Sequence, residues 1–495
     1  MGVSSSGWKW RAACAAAILL FAFLLLFRLG IPQKLHISPA ARGTADQVGI
    51  SPAETWMTIT QAGRKIGYAH RSLSKQEEGF RFDEELFMRI NTMGVVQPLT
   101  IRTEAELRED RRLASFQFDL TSNLFRFRVQ GKVAGRELTV RIGAPGEERT
   151  THIFLEEIPY LGGGIIASVG AAGLKPGEGR SFPIFDPASL GQREAKITLI
   201  GEEKVMIGGV SHPARRLSVD FMGMKQTAWV DRDGGVLREE GIMGIALERA
   251  VKEEALAGLE GAMSADLTEI ASLPSSRPIA DPEALRSLKV RLKGLSEGGF
   301  FLDGGRQTYR EGVLTIRRET DGPYEVPMIA QEELSPFLKA TPFVQSDHPK
   351  IRKVLESIVG PGDPEGAKAR KLVAWVHKSL EKRPVLSVPN ALETLENRVG
   401  DCNEHAVLLA ALARAAGIPA DMEAGLVYLR GRFYYHAWNV LYLKERRGWM
   451  TADAVLGQMP TDVTHIRFVR GTAERQLGLA GLIGRLQLEI LEMER

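Results

Sequence analysis

Apolar and polar residues alternate in short runs through the first half of this 495-residue chain, and this pattern constrains its fold most. Clear examples are Ser115–Leu120, Phe125–Val129 and Leu138–Ile142. Alternation with a period of two gives each strand one apolar and one polar face, as in an antiparallel sheet buried on one side. Turn signals such as Asp233–Gly235 separate the runs. We therefore predict a β-rich domain over residues 54–250.

The N-terminus carries an uncharged, mostly apolar run at residues 12–27, which follows Lys9 and Arg11. Its 16 residues fall between the roughly 7–15 of a signal-peptide core and the roughly 17–25 of a membrane-spanning helix. No small-residue cleavage site follows Phe27. We favour an uncleaved anchor over residues 1–30, with a cleaved signal peptide as the alternative. A linker at 31–53 then leads to a chain that would lie outside the cytoplasm.

Charge and cysteine content exclude two classes of protein. The formal net charge of +3 is small for this length and gives no reason to expect a nucleic-acid partner. Two cysteines cannot build a disulfide scaffold, and Cys14 belongs to the predicted anchor segment. We therefore expect Cys402 to be a free thiol.

Cys402 stands at the start of a predicted helix. Asp401 precedes an apolar-periodic segment and Glu404 follows three residues later, which is an aspartate variant of the capping box. A thiol in the first helical turn faces backbone amides and the positive end of the helix dipole, and both lower its pKa. The alternative is that Cys402 is a small buried apolar residue, which is common for free cysteines.

Residues downstream of the helix supply partners for a reactive thiol. Met422–Leu429, Phe433–Leu443 and a segment starting at Gly448 read as strands, with His436 on the second and Asp453 at the end of the third. A histidine can accept the thiol proton, and an aspartate can hold the imidazole in the useful tautomer. We predict Cys402, His436 and Asp453 as the catalytic residues.

Three other residues near the predicted site have less direct roles. His405 shares a helix face with Cys402 and is an alternative base, although no acidic partner is apparent. Glu404 fits a helix cap better than a catalytic acid, and Trp375 lies on a helical pattern that favours packing. The histidines show no metal-ligand spacing with Cys402, so we expect neither a metal nor a cofactor.

This region resembles the transglutaminase-like (papain-like thiol) superfamily over residues 350–470, and more loosely over 275–495. The resemblance rests on five motifs of the chain, Ala391–Leu395, Gly400–Cys402, Ala416–Ala420, His436–Trp438 and Gly448–Asp453. It implies an α+β core with a Cys-His-Asp triad, in which the nucleophile lies on a helix and the other two residues on strands. The expected fold class is thus α+β: an N-terminal transmembrane helix, an antiparallel β-rich domain, then this core.

The resemblance implies a thiol enzyme that acts on amide or peptide bonds through a thioester. Whether water or an amine takes the acyl group stays open. The alternative is a non-catalytic binding or scaffold protein of the cell envelope that keeps the fold. We expect a protein, peptide or cell-envelope substrate, membrane attachment through the N-terminal helix, and localisation as a single-pass bacterial inner-membrane protein with its bulk in the periplasm.

Overall fold

The computed structural model describes the chain from residue 53 onward, except for short internal gaps. The described ranges are 53–143, 148–163, 165–166, 174–221, 224–295, 300–320, 330–471 and 476–495. The chain divides into two compact units. One runs as far as Asp266 and also takes in Leu386–Val388, and the other comprises Leu267–Val385 and Pro389–Arg495.

The first unit contains one 15-stranded sheet, in the order β8-β7-β6-β5-β4-β3-β2-β1-β15-β14-β13-β12-β11-β10-β9. Neighbouring strands are antiparallel except for the parallel β9–β10 pair. The strands are β1 Ala53–Gln61, β2 Arg64–Gln76, β3 Gly79–Thr92, β4 Val95–Leu107, β5 Leu113–Thr121, β6 Arg126–Ala134, β7 Glu137–Ile142, β8 Arg149–Phe154, β9 Tyr160–Leu161, β10 Gly179–Asp186, β11 Gly191–Ile207, β12 Val210–Phe221, β13 Met224–Val230, β14 Val236–Glu240 and β15 Ile245–Ala250. A short helix, α1, follows at Lys252–Leu256.

Alternating burial explains why these segments are strands. In β3, Leu86, Met88 and Ile90 are buried, whereas the residues between them are partly exposed. The hairpin between β1 and β2 turns at Ala62 and Gly63, which have φ angles of 47° and 78°. Two successive positive φ angles match the right-handed twist of the strands that such a turn joins.

The described residues of the second unit form three sheets. A five-stranded sheet has the order β16-β23-β22-β25, with β24 also paired to β23, and the others are β18-β19-β17-β26 and β20-β21. The strands are β16 Leu273–Pro274, β17 Ser287–Lys293, β18 Gln307–Arg310, β19 Val313–Arg317, β20 Glu381–Lys382, β21 Val399–Gly400, β22 Ala420–Leu429, β23 Arg432–Leu443, β24 Gly448–Ala452, β25 Ile466–Arg470 and β26 Gln487–Glu494. The helices are α2 Leu267–Ile270, α3 Gln331–Leu334, α4 Pro349–Ile358, α5 Glu365–Ser379, α6 Ala391–Asn397 and α7 Cys402–Ala415.

Helix α7 lies at the centre of the second unit. Every residue from Cys402 to Ala413 is buried, because the helix packs on β22 and β23 on one side and on α4, α5 and α6 on the other. Asn439 on β23 ties the sheet to the helix, since its Nδ2 donates to the carbonyl of Ala406 at 2.9 Å. This central helix carries the cysteine that the sequence singles out.

The expected fold class with a transmembrane helix is wrong. The described residues are dominated by strands, and among them the longest helix, Glu365–Ser379, has 15 residues and several charged side chains. No helix in the described part of the chain is long and apolar enough to cross a membrane. That finding also contradicts the expected localisation as a single-pass inner-membrane protein. Residues 1–52, on which the predicted anchor and nearly all of the predicted linker fall, lie outside the described residues.

Candidate active site

Cys402 is the first residue of α7, and the residues before it determine where the helix starts. Both arms of the predicted capping box are present. The Asp401 side chain accepts from the amide of Asn403 at 3.2 Å, and Glu404 Oε2 accepts from the amide of Asp401 at 3.0 Å. A Cβ on Gly400 would lie 2.3 Å from the Cβ of Glu404, so the chain can enter the helix this closely only through glycine. The Cys402 side chain is thereby held at the helix start, and it is fully buried.

His436 and Asp453 come together because β23 and β24 are paired. The register places Asn439 opposite Ala452, so the chain leaves β24 at Asp453 beside the middle of β23. His436 Nε2 lies 2.7 Å from Asp453 Oδ2. A side-chain hydrogen bond to Cys402 and the charge of Cys402 also act on His436. The structure thus brings the three predicted residues together, with at most 1% of each exposed.

The electrostatics of the pair are those of a buried imidazolium and carboxylate. Burial is the largest influence on His436 and lowers its pKa, but the charge of Asp453, the hydrogen bond to it and the contact with Cys402 raise that pKa to about 9. Burial likewise raises the pKa of Asp453, yet the charges and hydrogen bonds of its histidine neighbours hold it far below its usual range. His436 is therefore protonated and Asp453 ionised at neutral pH.

Asp453 is also fixed by its own loop. Its Oδ1 accepts from the amides of Val455 at 2.7 Å and Leu456 at 3.0 Å. His377 on α5 holds the same loop, because its Nδ1 lies 3.1 Å from the carbonyl oxygen of Ala454 and 3.0 Å from that of Val455. Sequence patterns indicate only packing for His377, since a contact across 77 residues leaves no local signal.

His465 is a site residue that reasoning from the sequence missed. Its Nε2 lies 3.0 Å from Asp453 Oδ2, the same oxygen that His436 contacts. Its ring is fully buried and meets the ring of Trp438 edge-on, with 5.2 Å between the centroids. A lone histidine directly before strand β25 carries no signal in the sequence that separates it from a packed core residue.

His405, the alternative base, makes contacts that fit a structural role in the helix. Its Nδ1 lies 2.6 Å from the carbonyl oxygen of Asp401, so this nitrogen carries the proton and donates it within the helix. Burial lowers the pKa of His405 to about 3, and its imidazole is therefore neutral. Trp375 lies under the guanidinium of Arg398, 4.7 Å from it, in a packing contact.

One group of side chains has the composition of a metal site. Among the residues that the structure describes, ligand atoms of His436, Asp453 and His465 lie within 4.8 Å of one another. The two N–O separations, 2.7 and 3.0 Å, are hydrogen-bond lengths. A tetrahedral zinc site with bonds of about 2.0–2.2 Å would separate its ligand atoms by about 3.3–3.5 Å. The group therefore fits two donors on one carboxylate better than it fits tetrahedral zinc.

The family comparison identifies this part of the chain. The model of the transglutaminase-like superfamily matches residues 352–454, which include Cys402, His436 and Asp453. The resemblance to that superfamily predicted from the sequence is confirmed. No curated protein matches the chain.

Several solved structures are similar to parts of the chain at low identity. A candidate cysteine protease from Cytophaga hutchinsonii is 17% identical, with 42% of this chain and 86% of that chain covered and a TM-score of 0.27. The periplasmic domain of TgpA from Pseudomonas aeruginosa, bound to ethylmercury, is also 17% identical, with coverages of 38% and 83% and a TM-score of 0.24. A Brucella abortus protein from a domain family of unknown function is 11% identical, with coverages of 41% and 100% and a TM-score of 0.31.

Proposed function

From the transglutaminase-like domain at residues 352–454, we propose that this protein is a thiol enzyme that acts on amide or peptide bonds. Cys402 is the nucleophile, His436 the general base and acid, and Asp453 the residue that orients the imidazole. The observation that carries the proposal is the buried 2.7 Å contact between His436 Nε2 and Asp453 Oδ2, beside a Cys402 thiol whose hydrogen bond and charge act on the same imidazole. A buried imidazolium beside a thiol favours the thiolate, which is the reactive form.

The reaction proceeds in two steps. The Cys402 sulfur attacks the carbonyl carbon of the amide, the C–N bond breaks, and His436 gives its proton to the departing amine. This leaves a thioester on Cys402. Water or a second amine then attacks the thioester, His436 accepts its proton, and the thiolate departs. The backbone amides and dipole at the start of α7 favour the negative charge that develops on sulfur and on the carbonyl oxygen.

The acyl donor is a protein or peptide, and the acceptor decides the reaction class. Water makes the protein a peptidase or amidase, and a primary amine makes it a transglutaminase. Supplying both acceptors in one assay separates the two. Release of free acid that is insensitive to added amine indicates hydrolysis, whereas incorporation of the amine indicates transfer.

The test is to trap the thioester. In a Cys14→Ala background Cys402 is the single thiol, so an activated acyl donor should add one hydroxylamine-sensitive acyl group, detected by intact mass. We expect Cys402→Ala to abolish the adduct and His436→Gln to slow its formation at least about 100-fold. An unmodified Cys402 after prolonged incubation, with an ordinary alkaline midpoint for its alkylation, would contradict the proposal.

Burial favours a second candidate, a non-catalytic binding protein that keeps the fold. Because the Cys402 side chain has no exposed surface, a substrate reaches it only after the surrounding chain moves. A protein in which that movement does not occur would show no acyl adduct, and Cys402→Ala would keep full biological activity. The thioester experiment therefore decides between the two candidates.

A further inference from the structure

Asp453 receives four hydrogen-bond donors, which is all that a carboxylate can accommodate. Two backbone amides reach Oδ1 at 2.7 and 3.0 Å. His436 and His465 reach Oδ2 at 2.7 and 3.0 Å. An ionised carboxylate offers about four lone-pair sites. With all of them occupied, the carboxylate cannot rotate without breaking a buried hydrogen bond.

His465 is itself held in place from several sides. Its Nδ1 lies 3.4 Å from Asp462 Oδ1, and its backbone carbonyl accepts from Arg306 Nη2 at 2.8 Å. Asp462 is fixed by Thr464, whose amide and hydroxyl donate to Oδ1 at 2.8 and 2.6 Å. The imidazole of His465 is therefore a rigid donor toward Asp453.

We propose that His465 is a positioning residue of the thiol site, which acts through Asp453 on His436. It occupies the lone pair of Asp453 Oδ2 that His436 does not use. The imidazole of His436 can therefore bind this oxygen from one direction only. The imidazole then keeps the orientation in which Cys402 also acts on it. This inference rests on the proposed function, and His465 lies outside the 352–454 segment that the family model matches.

The charges around His465 give it an electrostatic effect as well. The groups that face it are Asp453 after β24, Asp462 on its own loop, His436 on β23 and the Arg306 guanidinium at its carbonyl. Burial lowers the pKa of His465, but the charge of Asp462 and the bonds to both aspartates raise it above its usual value. His465 and His436 share Oδ2 of Asp453, so His465 draws on the same carboxylate charge that raises the pKa of His436.

Two substitutions separate the effect of the His465 hydrogen-bond donor from the effect of the His465 charge. His465→Leu removes both, and His465→Gln keeps a donor amide without the charge. In the Cys14→Ala background we expect His465→Leu to lower the plateau of the acyl-transfer rate about ten-fold or more, since displaced catalytic groups lose rate steeply. We expect His465→Gln to restore most of the plateau, and both variants to move the alkaline limb of the pH profile to higher pH.

A merely structural His465 would give a different result. Both variants would then lose stability, with the plateau per folded molecule and the alkaline limb unchanged, and this outcome would overturn the proposal. If His465→Leu does not fold, the pH profiles of His465→Gln and Asp462→Asn test the proposal instead. Each should move the alkaline limb of the pH profile to higher pH, and an alkaline limb that stays in place in both variants would overturn the proposal.

A readout independent of activity distinguishes failure of this inference from failure of the proposed function. The titration of the His436 ring, followed by NMR of its nitrogens, needs no substrate. A rise in the pKa of His436 in His465→Gln supports the coupling even if no acyl adduct ever forms on Cys402. An identical His436 titration in the variant and the unsubstituted protein refutes it even if the enzyme is active.

Discussion

Asp453 is the residue on which the geometry of the site depends most. Its two oxygens join a loop, a strand and a second histidine, and its charge keeps His436 protonated. A neutral amide of the same shape must present an N–H to at least one of these four donors, which creates a clash of donors in a buried site.

We therefore predict that Asp453→Asn lowers the acyl-transfer rate by on the order of 10³-fold, because the imidazole loses its tautomer and its charge partner. The alkaline limb of the pH profile should also move to lower pH, since the charge that raises the pKa of His436 is gone. Rates measured between pH 5 and 10 test both effects. Asp110→Asn, at an exposed aspartate of the other unit, is the matched control and should leave the profile unchanged. A variant with the normal alkaline limb would contradict the assigned role of Asp453.

Residue chemistry explains which residues of the candidate site could be predicted from the sequence. Cys402, His436 and Asp453 were predicted because the chain presents each at the end or middle of a recognisable element. His465 and His377 were not, because their roles arise from contacts with Asp453 and its loop across 12 and 77 residues. A polar side chain that acts only through another one has no pattern of its own in the sequence.

At the scale of elements, the start of α7 is the most constrained segment of the site. Both arms of the capping box predicted from Asp401 and Glu404 are present, so this feature is confirmed. The helix start also depends on Gly400, where an added methyl group would overlap the side chain of Glu404. Any shift of Glu404 breaks one arm of the cap and moves Cys402, which is two residues earlier.

Gly400→Ala should destabilise the protein by about 1–3 kcal/mol, as overpacked substitutions do. It should also reduce acylation of Cys402 in molecules that remain folded. Denaturant unfolding gives the first quantity, and the burst of acyl adduct gives the second. Gly362→Ala is the control, because a methyl group there meets open space. Equal stability of the two variants would show that the close approach at Gly400 carries no energetic weight.

The strands around the site followed closely from local patterns. Met422–Leu429 and Phe433–Leu443 were predicted, and the strands run over Ala420–Leu429 and Arg432–Leu443. The pairing of β24 with β23 places Asp453 beside His436. This pairing is a tertiary contact that neither the alternation of apolar residues nor the turn residues specify. Local periodicity therefore predicted the elements, while their register came only with the structure.

At the scale of the whole molecule, two buried histidines impose opposite pH dependences on stability. The pKa of His405 is about 3 in the folded chain and 6.5 in its ordinary state. As the pH falls below about 6.5, the unfolded chain binds a proton that the folded chain does not, so stability decreases until about pH 3.

The acid side of this dependence is tested with His405→Gln, which keeps a side-chain donor and cannot be protonated. We expect it to flatten the loss of unfolding free energy between pH 6.5 and 3, a loss of a few kcal/mol at about 1.4 kcal/mol per pKa unit. Denaturant melts at a series of pH values measure the slope. His152→Gln, at an exposed histidine, should keep the slope of the unsubstituted protein. A slope that survives in His405→Gln would assign it to other groups.

On the alkaline side His436 contributes together with His465, because the pKa of each is raised in the folded chain. The pKa of His436 is raised from 6.5 to about 9, so its ion pair stabilises the fold fully below pH 6.5. That contribution is lost as the pH rises through about 9. His436→Gln should reduce this decline while lowering the stability at pH 6. Finding the same decline between pH 7 and 9.5 in His436→Gln would contradict the buried ion pair.

The large sheet shows what local sequence patterns cannot specify at this scale. Alternation indicated strands throughout the first half of the chain, yet the pairing of β1 with β15 joins the first strand of the sheet in sequence to the last. No local pattern encodes such a partner. The expected membrane helix is contradicted because no helix in the described part of the chain is long and apolar enough to cross a membrane. The apolar run from which it was predicted lies outside the described residues.

The complete burial of Cys402 has a consequence for the lifetime of the protein. A thiolate in water is open to peroxide and moves irreversibly up the oxidation ladder once it passes the sulfenic acid. In this protein neither an oxidant nor a substrate reaches the sulfur until the surrounding chain opens. The fraction of molecules that are open therefore multiplies both the oxidation rate and the acylation rate, and it does not change how either rate depends on pH. Thiol reagents of increasing size would measure that fraction for openings of increasing width. In the proposed enzyme, how often the first residue of α7 is uncovered would thus set both the rate of the reaction and the lifetime of the thiol.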